Sequence, residues 1–499
     1  MHINIAKINF KQIGINIAKV DFSLYDVANY KDEYLTLSAL DNGEITITIP
    51  DMVDQNYATS ISYSKDKSNW TETVVDNTAQ TITIPVSNGD DVYLKGVAKA
   101  WCNADEESCA HINSSVSINA SGNIMSLLYG DDFKDKTTFP GESQYTFGEL
   151  FISNTHLINA KNLILPATTL VNYCYQNMFK DCTSLTTAPA LSATTLAADC
   201  YVGMFQNCAS LTTAPELPAT TLAQSCYTDM FSGCTSLTTA PELPATTLVA
   251  YCYSYMFNGC TSLTTAPELP ATKLAEYCYF GMFQNCTSLT TTPELPATKL
   301  TASCYTGMFQ NCTSLTTAPE LPATTLANTC YNFMFYNCTS LVNAPELPAT
   351  TLADSCYYGM FHGCTSLTTT PALSATTLAP YCYYNMFKNC TSLVQAPALP
   401  VTSLTQGCYY EMFLGCTSLT TAPELPATKL APGCYYNMFN GCQKLNIITM
   451  LATDISASDC LRNWVNGVAS TGTFTKAASM TSLPAGISGI PTGWTVQTA

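Results

Sequence analysis

Between residues 148 and 446 the same pattern of apolar and polar positions returns every 26 residues. In each of eleven copies a Cys-Tyr pair, a Met-Phe pair and a second Cys follow one another at four-residue spacing, as in 200–208. Units this short, copied this often, are typical of repeat proteins in which each unit is covered only by its neighbours. The pattern therefore predicts a solenoid.

One half of each repeat predicts a short helix. At about 100° per residue, Leu196, Cys200, Tyr201, Met204 and Phe205 share one half of a helical wheel. The positions that vary from copy to copy fall on the other half, so the first set predicts a core face and the second a solvent face.

The ends of this predicted helix carry capping residues. The residue before the second Cys is always Asn, Gly or Asp, as at Asn207, which suits a C-cap. A Thr stands two residues before the Leu, as at Thr194, and suits an N-cap.

The Thr-rich segment that follows, such as 211–217, predicts a strand and a turn. Stacked copies would form a parallel sheet with strands about 4.8 Å apart. The fold class predicted for 148–446 is therefore an α/β leucine-rich-repeat solenoid, with strand plus short helix in each repeat.

Strand patterns dominate before the repeats. Residues 1–30 contain Ile-Asn-Ile-Ala-Lys twice, at 3–7 and 15–19. Because isolated short strands cannot bury an apolar face, we predict an attachment arm that docks on another chain, and a homo-oligomer.

Residues 31–121 predict a small all-β sandwich. Asn42-Gly43 and Asn88-Gly89 each lie between alternating runs, which predicts two hairpins. Trp70 is the expected core aromatic. An end repeat exposes its neighbour-facing side, so we expect 122–147 and 447–499 to be the N- and C-terminal caps of the solenoid.

Two stretches resemble known families. The unit Cys-Tyr-x-x-Met-Phe-x-x-Cys-Thr-Ser-Leu resembles the BspA-like leucine-rich repeat, over about residues 122–499. The duplicated strand motif, the β-domain and Gly-Asn-Ile-Met-Ser-Leu-Leu-Tyr-Gly-Asp-Asp-Phe at 122–133 resemble phage and prophage virion proteins of Bacteroidales. This resemblance implies a virion fibre or surface appendage.

Charge narrows the choice of partners. The net charge is −17, and Arg462 is the single arginine. Because binding to nucleic acid requires Lys and Arg to replace phosphate counterions, we expect no nucleic-acid partner. No apolar run approaches the about 18 residues of a membrane span, so membrane insertion is not expected. The first residues lack the pattern of a secretory signal, which favours either a removed leader or release by lysis.

The 25 cysteines follow the repeat period rather than a disulfide framework. The two cysteines of a repeat, such as Cys200 and Cys208, are eight positions apart and would lie about 12 Å apart on a helix. This is too far for one ion, so we predict core thiols and no metal. Cys102 and Cys109 flank an acidic tip and are either cross-strand partners or two free thiols.

Catalytic motifs are missing from the sequence, so we predict no enzymatic activity and no cofactor. A Glu recurs once per turn and forms either a solvated edge or a cation-binding strip. Its members are Glu216, Glu242, Glu268, Glu294, Glu320 and Glu346.

The residue after Cys-Tyr is the best candidate for ligand binding, because it lies on the variable face and is often aromatic. Aromatic residues there suit an interface or stacking on sugars; duplication without a binding role is the alternative. The candidates are Phe280, Tyr358, Tyr384, Tyr410 and Tyr436.

Two hypotheses follow. The first is a phage virion structural protein, a tail or head fibre on the virion surface, assembled in the host cytoplasm and released by lysis. Its residues 1–30 would attach to other virion proteins, and its solenoid would bind a host-surface glycan or protein. The alternative is a bacterial cell-surface leucine-rich-repeat adhesin.

Overall fold

A computed structural model describes residues 30–51, 58–76, 78–102, 108–141, 144–481 and 483–499. The attachment arm predicted for residues 1–30 lies outside these residues, apart from Tyr30. The acidic tip between Cys102 and Cys109 lies largely outside them as well.

The described part of the N-terminal β-domain consists of strands in two sheets. They are β1 (Leu35–Ala39), β2 (Gly43–Ile49), β3 (Ala58–Ser64), β4 (Thr71–Val74), β5 (Gln80–Val86), β6 (Asp91–Ala98), β7 (His111–Ser114) and β8 (Ile118–Asn123). One sheet has the order β4-β3-β6-β1-β8 and gains β9 (Leu157–Ile164) at its edge; the other has the order β5-β2-β7. Leu37 of the first sheet and Ile47 of the second both lie in the buried cluster.

The two predicted hairpins are wrong. Strand β1 pairs with β6 and β8, whereas β2 pairs with β5 and β7, so each Asn-Gly turn passes the chain from one sheet to the other. The two turns contact each other: the Asn88 N–H donates to Asn42 Oδ1 at 2.9 Å, and the Gly89 N–H donates to the Ala39 carbonyl at 2.9 Å. An Asn-Gly pair favours a tight turn, but burial against both sheets decides which strands pair.

The core tryptophan is Trp101 rather than Trp70. Trp101 is 1% exposed, and its Nε1 donates to the Leu127 carbonyl at 3.2 Å. Trp70 is half-buried, with Lys95 Nζ 4.2 Å from the centre of its ring. Trp70 is only half-buried because it lies just before β4, which is an edge strand among the described strands.

Hydrogen bonds join the β-domain directly to the repeats. Strand β9 pairs in parallel with β8, and Asn159 bridges in parallel to Thr187 of the next turn of the chain. Helix α1 (Ser126–Tyr129) packs on the same sheet, where Ser126 Oγ donates to the Leu94 carbonyl at 2.8 Å. The sheet of the β-domain therefore continues into the repeat region.

The helix predicted for each repeat is wrong. Residues 165–446, all of them described, contain turns and isolated parallel bridges and no helix. In the segment around the two cysteines of each repeat, which we call the turn segment, every fourth residue has a left-handed backbone, as shown by φ values of 56° at Asp199, 58° at Gly203 and 59° at Asn207. L-residues in this conformation interrupt a right-handed helix. Asn207 is therefore not a helix C-cap, and Thr194 has no helix to cap.

In the turn segment, such as residues 199–208, successive backbone N–H groups donate alternately to a carbonyl of the same repeat and to a carbonyl of the following repeat. The Val202 N–H donates to the Asp199 carbonyl at 3.3 Å and closes a turn. The Tyr201 N–H donates to the Cys226 carbonyl of the following repeat at 3.1 Å. This alternation satisfies the backbone without a helix.

The residues predicted to form the core are nevertheless buried. Cys200, Met204 and Phe205 are fully buried, and the ring of Phe205 lies 5.7 Å from that of Phe231, within 3° of parallel. The Cys208 thiol donates to the Phe179 carbonyl of the preceding repeat at 3.1 Å. A turn every four residues therefore places the same side chains in the core as the predicted helix would have done.

The predicted strand of each repeat shrinks to single parallel bridges, such as Thr213 to Thr239 and Thr265 to Thr291. The Pro residues that follow limit the ladder because they have no N–H to donate.

Beyond the repeats, β10 (Ile447–Met450), β11 (Thr473–Lys476) and β12 (Thr495–Thr498) form a parallel sheet. Trp464 is fully buried there, 6.1 Å from the ring of Phe439. None of the described helices has the length and apolar character needed to cross a membrane.

Candidate functional site

The structure brings together four of the five predicted binding residues. The rings of Tyr358, Tyr384, Tyr410 and Tyr436 stack at centroid distances of 4.4, 4.4 and 4.3 Å, with neighbouring planes within 8° of parallel. We call this set the tyrosine column. Its rings are half-buried rather than exposed, and the two inner rings have both faces covered by neighbours. The inner rings therefore have only their edges left for a ligand.

Phe280 lies apart from the tyrosine column. Its ring packs edge-on against Tyr255 at 5.0 Å and is tilted against Tyr277 at 5.7 Å. It therefore belongs to a separate aromatic cluster, three repeats before Tyr358.

Arg462 extends the tyrosine column by one position, which the sequence analysis missed. Its guanidinium carbon lies 5.7 Å from the centre of the Tyr436 ring, and its Nη1 lies 3.6 Å from Asp459 Oδ1. Both charged side chains are 58% exposed. Cys460 keeps the repeat register, and this register aligns Arg462 with the four tyrosines.

A groove lies beside this end of the column. In the row of residues directly before the first Cys, Tyr381 is followed in successive repeats by Gly407, Gly433 and Asp459. Gly407 and Gly433 have no side chains; the ring of Tyr381 leans over Gly407, where a Cβ would lie 2.6 Å from Tyr381 Cδ1, and the row is open at Gly433. The resulting space measures about 370 Å³, and we call it the glycine groove. Its lining is Tyr381, Gln406, Gly407, Tyr410, Pro432, Gly433, Tyr436, Ser458, Asp459 and Arg462.

Backbone hydrogen bonds fix the floor of the glycine groove. The Gly407 N–H donates to the Pro432 carbonyl at 3.0 Å, and the Gly433 N–H donates to the Ser458 carbonyl at 2.9 Å. The floor is therefore formed before any ligand arrives, which lowers the ordering cost of binding.

The tyrosine column and the side chains beside it carry little net charge. Burial raises the pKa of Tyr384 to about 12, so its hydroxyl is neutral at physiological pH. Burial, together with the charge of Lys388, lowers the pKa of His362 to about 4. Lys388 Nζ lies 2.8 Å from Glu411 Oε2, and both side chains are largely buried. Most of the column surface thus carries no net charge.

The cysteines divide into two kinds. Cys102 and Cys109 are joined by a disulfide, which answers the question left open by the sequence. The other 23 are free and buried, and burial raises the pKa of thiols such as Cys182 to about 12. No group of three or more potential metal ligands occurs within the described residues. Glu216 and the equivalent glutamates are exposed.

Family comparison agrees with the repeat architecture. The family described as BspA type Leucine rich repeat region (6 copies) matches residues 136–238, 201–342 and 277–420, which together span more than half of the chain. The chain belongs to this BspA-type leucine-rich-repeat family. No curated protein matches it.

Proposed function

We propose that the chain is a phage virion structural protein, a tail or head fibre that binds the host surface through its repeats. In this proposal residues 31–121 form a β-sandwich base, and the 26-residue repeats form a solenoid that projects from it. Residues 1–30 attach the protein to other virion proteins, and copies of the chain associate with one another. The protein performs no catalysis.

The observation that carries the binding role is the tyrosine column with the glycine groove at its end. Tyrosines that present a polar hydroxyl and an apolar ring are common in recognition surfaces. Support for the virion context comes from residues 122–133, which resemble a segment of phage and prophage virion proteins.

A bacterial cell-surface adhesin is the second candidate, because the repeats belong to the BspA-type family. Such a protein would be found on the cell envelope instead of on particles, so the two candidates differ in where the chain is found.

Immunogold labelling of intact particles with an antibody against the repeats tests the proposal. We expect gold on the particle surface, and we expect deletion of residues 2–30 to remove it while the purified deleted chain keeps its circular dichroism spectrum. Gold confined to bacterial envelopes would support the adhesin instead. Particles that incorporate the deleted chain would contradict the role of the arm.

A further inference from the structure

We infer that the glycine groove binds one end of a neutral saccharide, with pyranose rings lying between Tyr381 and Asp459. This inference rests on the proposed host-surface binding and names the ligand class for that surface. It is carried by the shape, the lining and the charge of the groove.

The groove is a local departure from the repeat. Other hollows lie along the Pro-containing side of the repeats, lined by equivalent Pro, Ala, Thr and Glu positions in different repeats. Because these hollows recur at equivalent positions of the repeats, none of them stands out as a specific binding site. The glycine groove instead requires two adjacent glycines, the end of the tyrosine column and the single arginine.

The size fits a small ligand. Tyr381 and Asp459 are three repeats apart, which corresponds to about 14 Å along the stack at about 4.8 Å per step. The Tyr381 ring takes up part of this length above Gly407, so the open part of the groove is shorter. The volume of about 370 Å³ falls at the lower end of the range for small-molecule pockets.

The lining combines apolar and polar groups as a pyranose requires. The ring of Tyr410 approaches the floor closely, since a Cβ built on Gly433 would lie 3.6 Å from Tyr410 Cδ2. Because both faces of this ring are covered, its edge forms the apolar wall, against which the C–H groups of a sugar ring can pack. At the far end the Asp459 carboxylate accepts hydrogen bonds and the Arg462 guanidinium donates them, which suits the hydroxyls of a terminal sugar.

Charge favours a neutral ligand. Asp459 and Arg462 cancel each other at the groove, and the chain as a whole carries −17. An anionic sugar would be repelled by the overall field, and among the described residues that line the groove no unpaired cation compensates.

The repeat itself supplies a variant that fills the groove. Gly433 has a φ of 59°, and Tyr251 and Tyr277 adopt 59° and 57° at the same position of other repeats. Gly433→Tyr therefore keeps the backbone and places a ring in the groove. Ser225→Tyr, at the same position with a φ of 51°, adds the same ring beside Tyr251 and far from the groove.

Ligand-observed NMR on the full chain tests the inference, with glucose, galactose, mannose, N-acetylglucosamine and their disaccharides as neutral probes and glucuronate as the anionic probe. We expect binding of at least one neutral probe in preference to glucuronate. Gly433→Tyr should weaken it at least about tenfold, Arg462→Gln should weaken it as well, and Ser225→Tyr should leave it unchanged.

Two results would overturn the inference: none of the neutral probes binds the parent chain, or Gly433→Tyr binds like the parent. Competition of the purified chain with particles for host cells separates this failure from failure of the proposed function. If Gly433→Tyr competes as well as the parent, the host-binding role stands and the groove is not its site. If the parent chain does not compete at all, the host-binding role fails.

Discussion

The ring of Phe309 lies 5.7 Å from the ring of Phe335, and the two planes are within 6° of parallel. Phe283 covers the other face of the ring at the same distance, so Phe309 is fully buried between the equivalent phenylalanines of the two adjacent repeats. We predict that Phe309→Ala lowers the free energy of unfolding by about 3–5 kcal/mol, the range for truncating a buried Phe.

Phe333→Ala is the matched control in this experiment. Phe333 is half-buried on the outer surface and contacts Tyr336 and Tyr358. Denaturant unfolding should show a clearly smaller loss for this variant. Equal losses for the two variants would contradict the stacked core.

The left-handed positions give a second prediction. Gly259 has a φ of 74°, and a Cβ there would meet nothing closer than 3.7 Å, so only backbone strain opposes a side chain. Asn285 occupies the equivalent position with a φ of 61°. Gly259→Val should therefore cost at least about 1–2 kcal/mol, whereas Gly259→Asn should cost much less. Thermal melts of both variants measure this, and a Val variant as stable as the Asn variant would exclude a left-handed backbone here.

The third prediction concerns the free thiols, which should be unreactive because they are buried. All 23 are buried, from Cys174 to Cys460. We expect almost no reaction with a thiol reagent near neutral pH in the native chain and reaction of all 23 after unfolding, because the thiolate is the reactive form. Rapid native labelling of thiols in the middle of the repeats would show that they face solvent.

Alkaline pH should destabilise the chain. Burial raises the pKa of Cys234 and Cys286 from 9.0 to about 12, and it raises the pKa of core tyrosines such as Tyr201 well above 10.0. A folded-state pKa above the unfolded value stabilises the fold below the unfolded pKa and loses that contribution as pH rises toward the folded one. The melting temperature should therefore be nearly constant up to about pH 8.5 and fall steadily from about pH 9. A constant melting temperature up to about pH 11 would contradict buried thiols and phenols.

The sequence predicted the core of each repeat but not its backbone. A helix and a left-handed residue every fourth position both place Cys200, Tyr201 and Met204 on one side. The four-residue spacing therefore identifies the buried face without identifying the element. Gly, Asn, Asp and Ser are frequent at the positions of Asp199 and Gly203, but residues such as Tyr251 and Phe333 have left-handed φ values there as well. The position of Asn207 is always Asn, Gly or Asp, and this was interpreted as a helix C-cap.

The candidate site was predictable in part. Aromatic residues in adjacent copies indicated the tyrosine column, because equivalent positions of a repeat must lie side by side. The glycine groove was missed because it depends on two absent side chains, at Gly407 and Gly433, and on Arg462 in a copy that has lost most of the repeat pattern. Phe280 lies outside the tyrosine column because Thr306 and Asn332 occupy the equivalent position in the two repeats before Tyr358. Its ring packs on Tyr255 instead, which leans over Gly281.

Far-UV circular dichroism of the purified chain tests the central structural claim most directly. If alternate backbone N–H groups of each turn segment bond to the following repeat, the spectrum will show turns and strands and lack the double minimum of helix. A spectrum dominated by helix, as eleven helical repeats would produce, would contradict the stacked-turn repeat and the groove built on it.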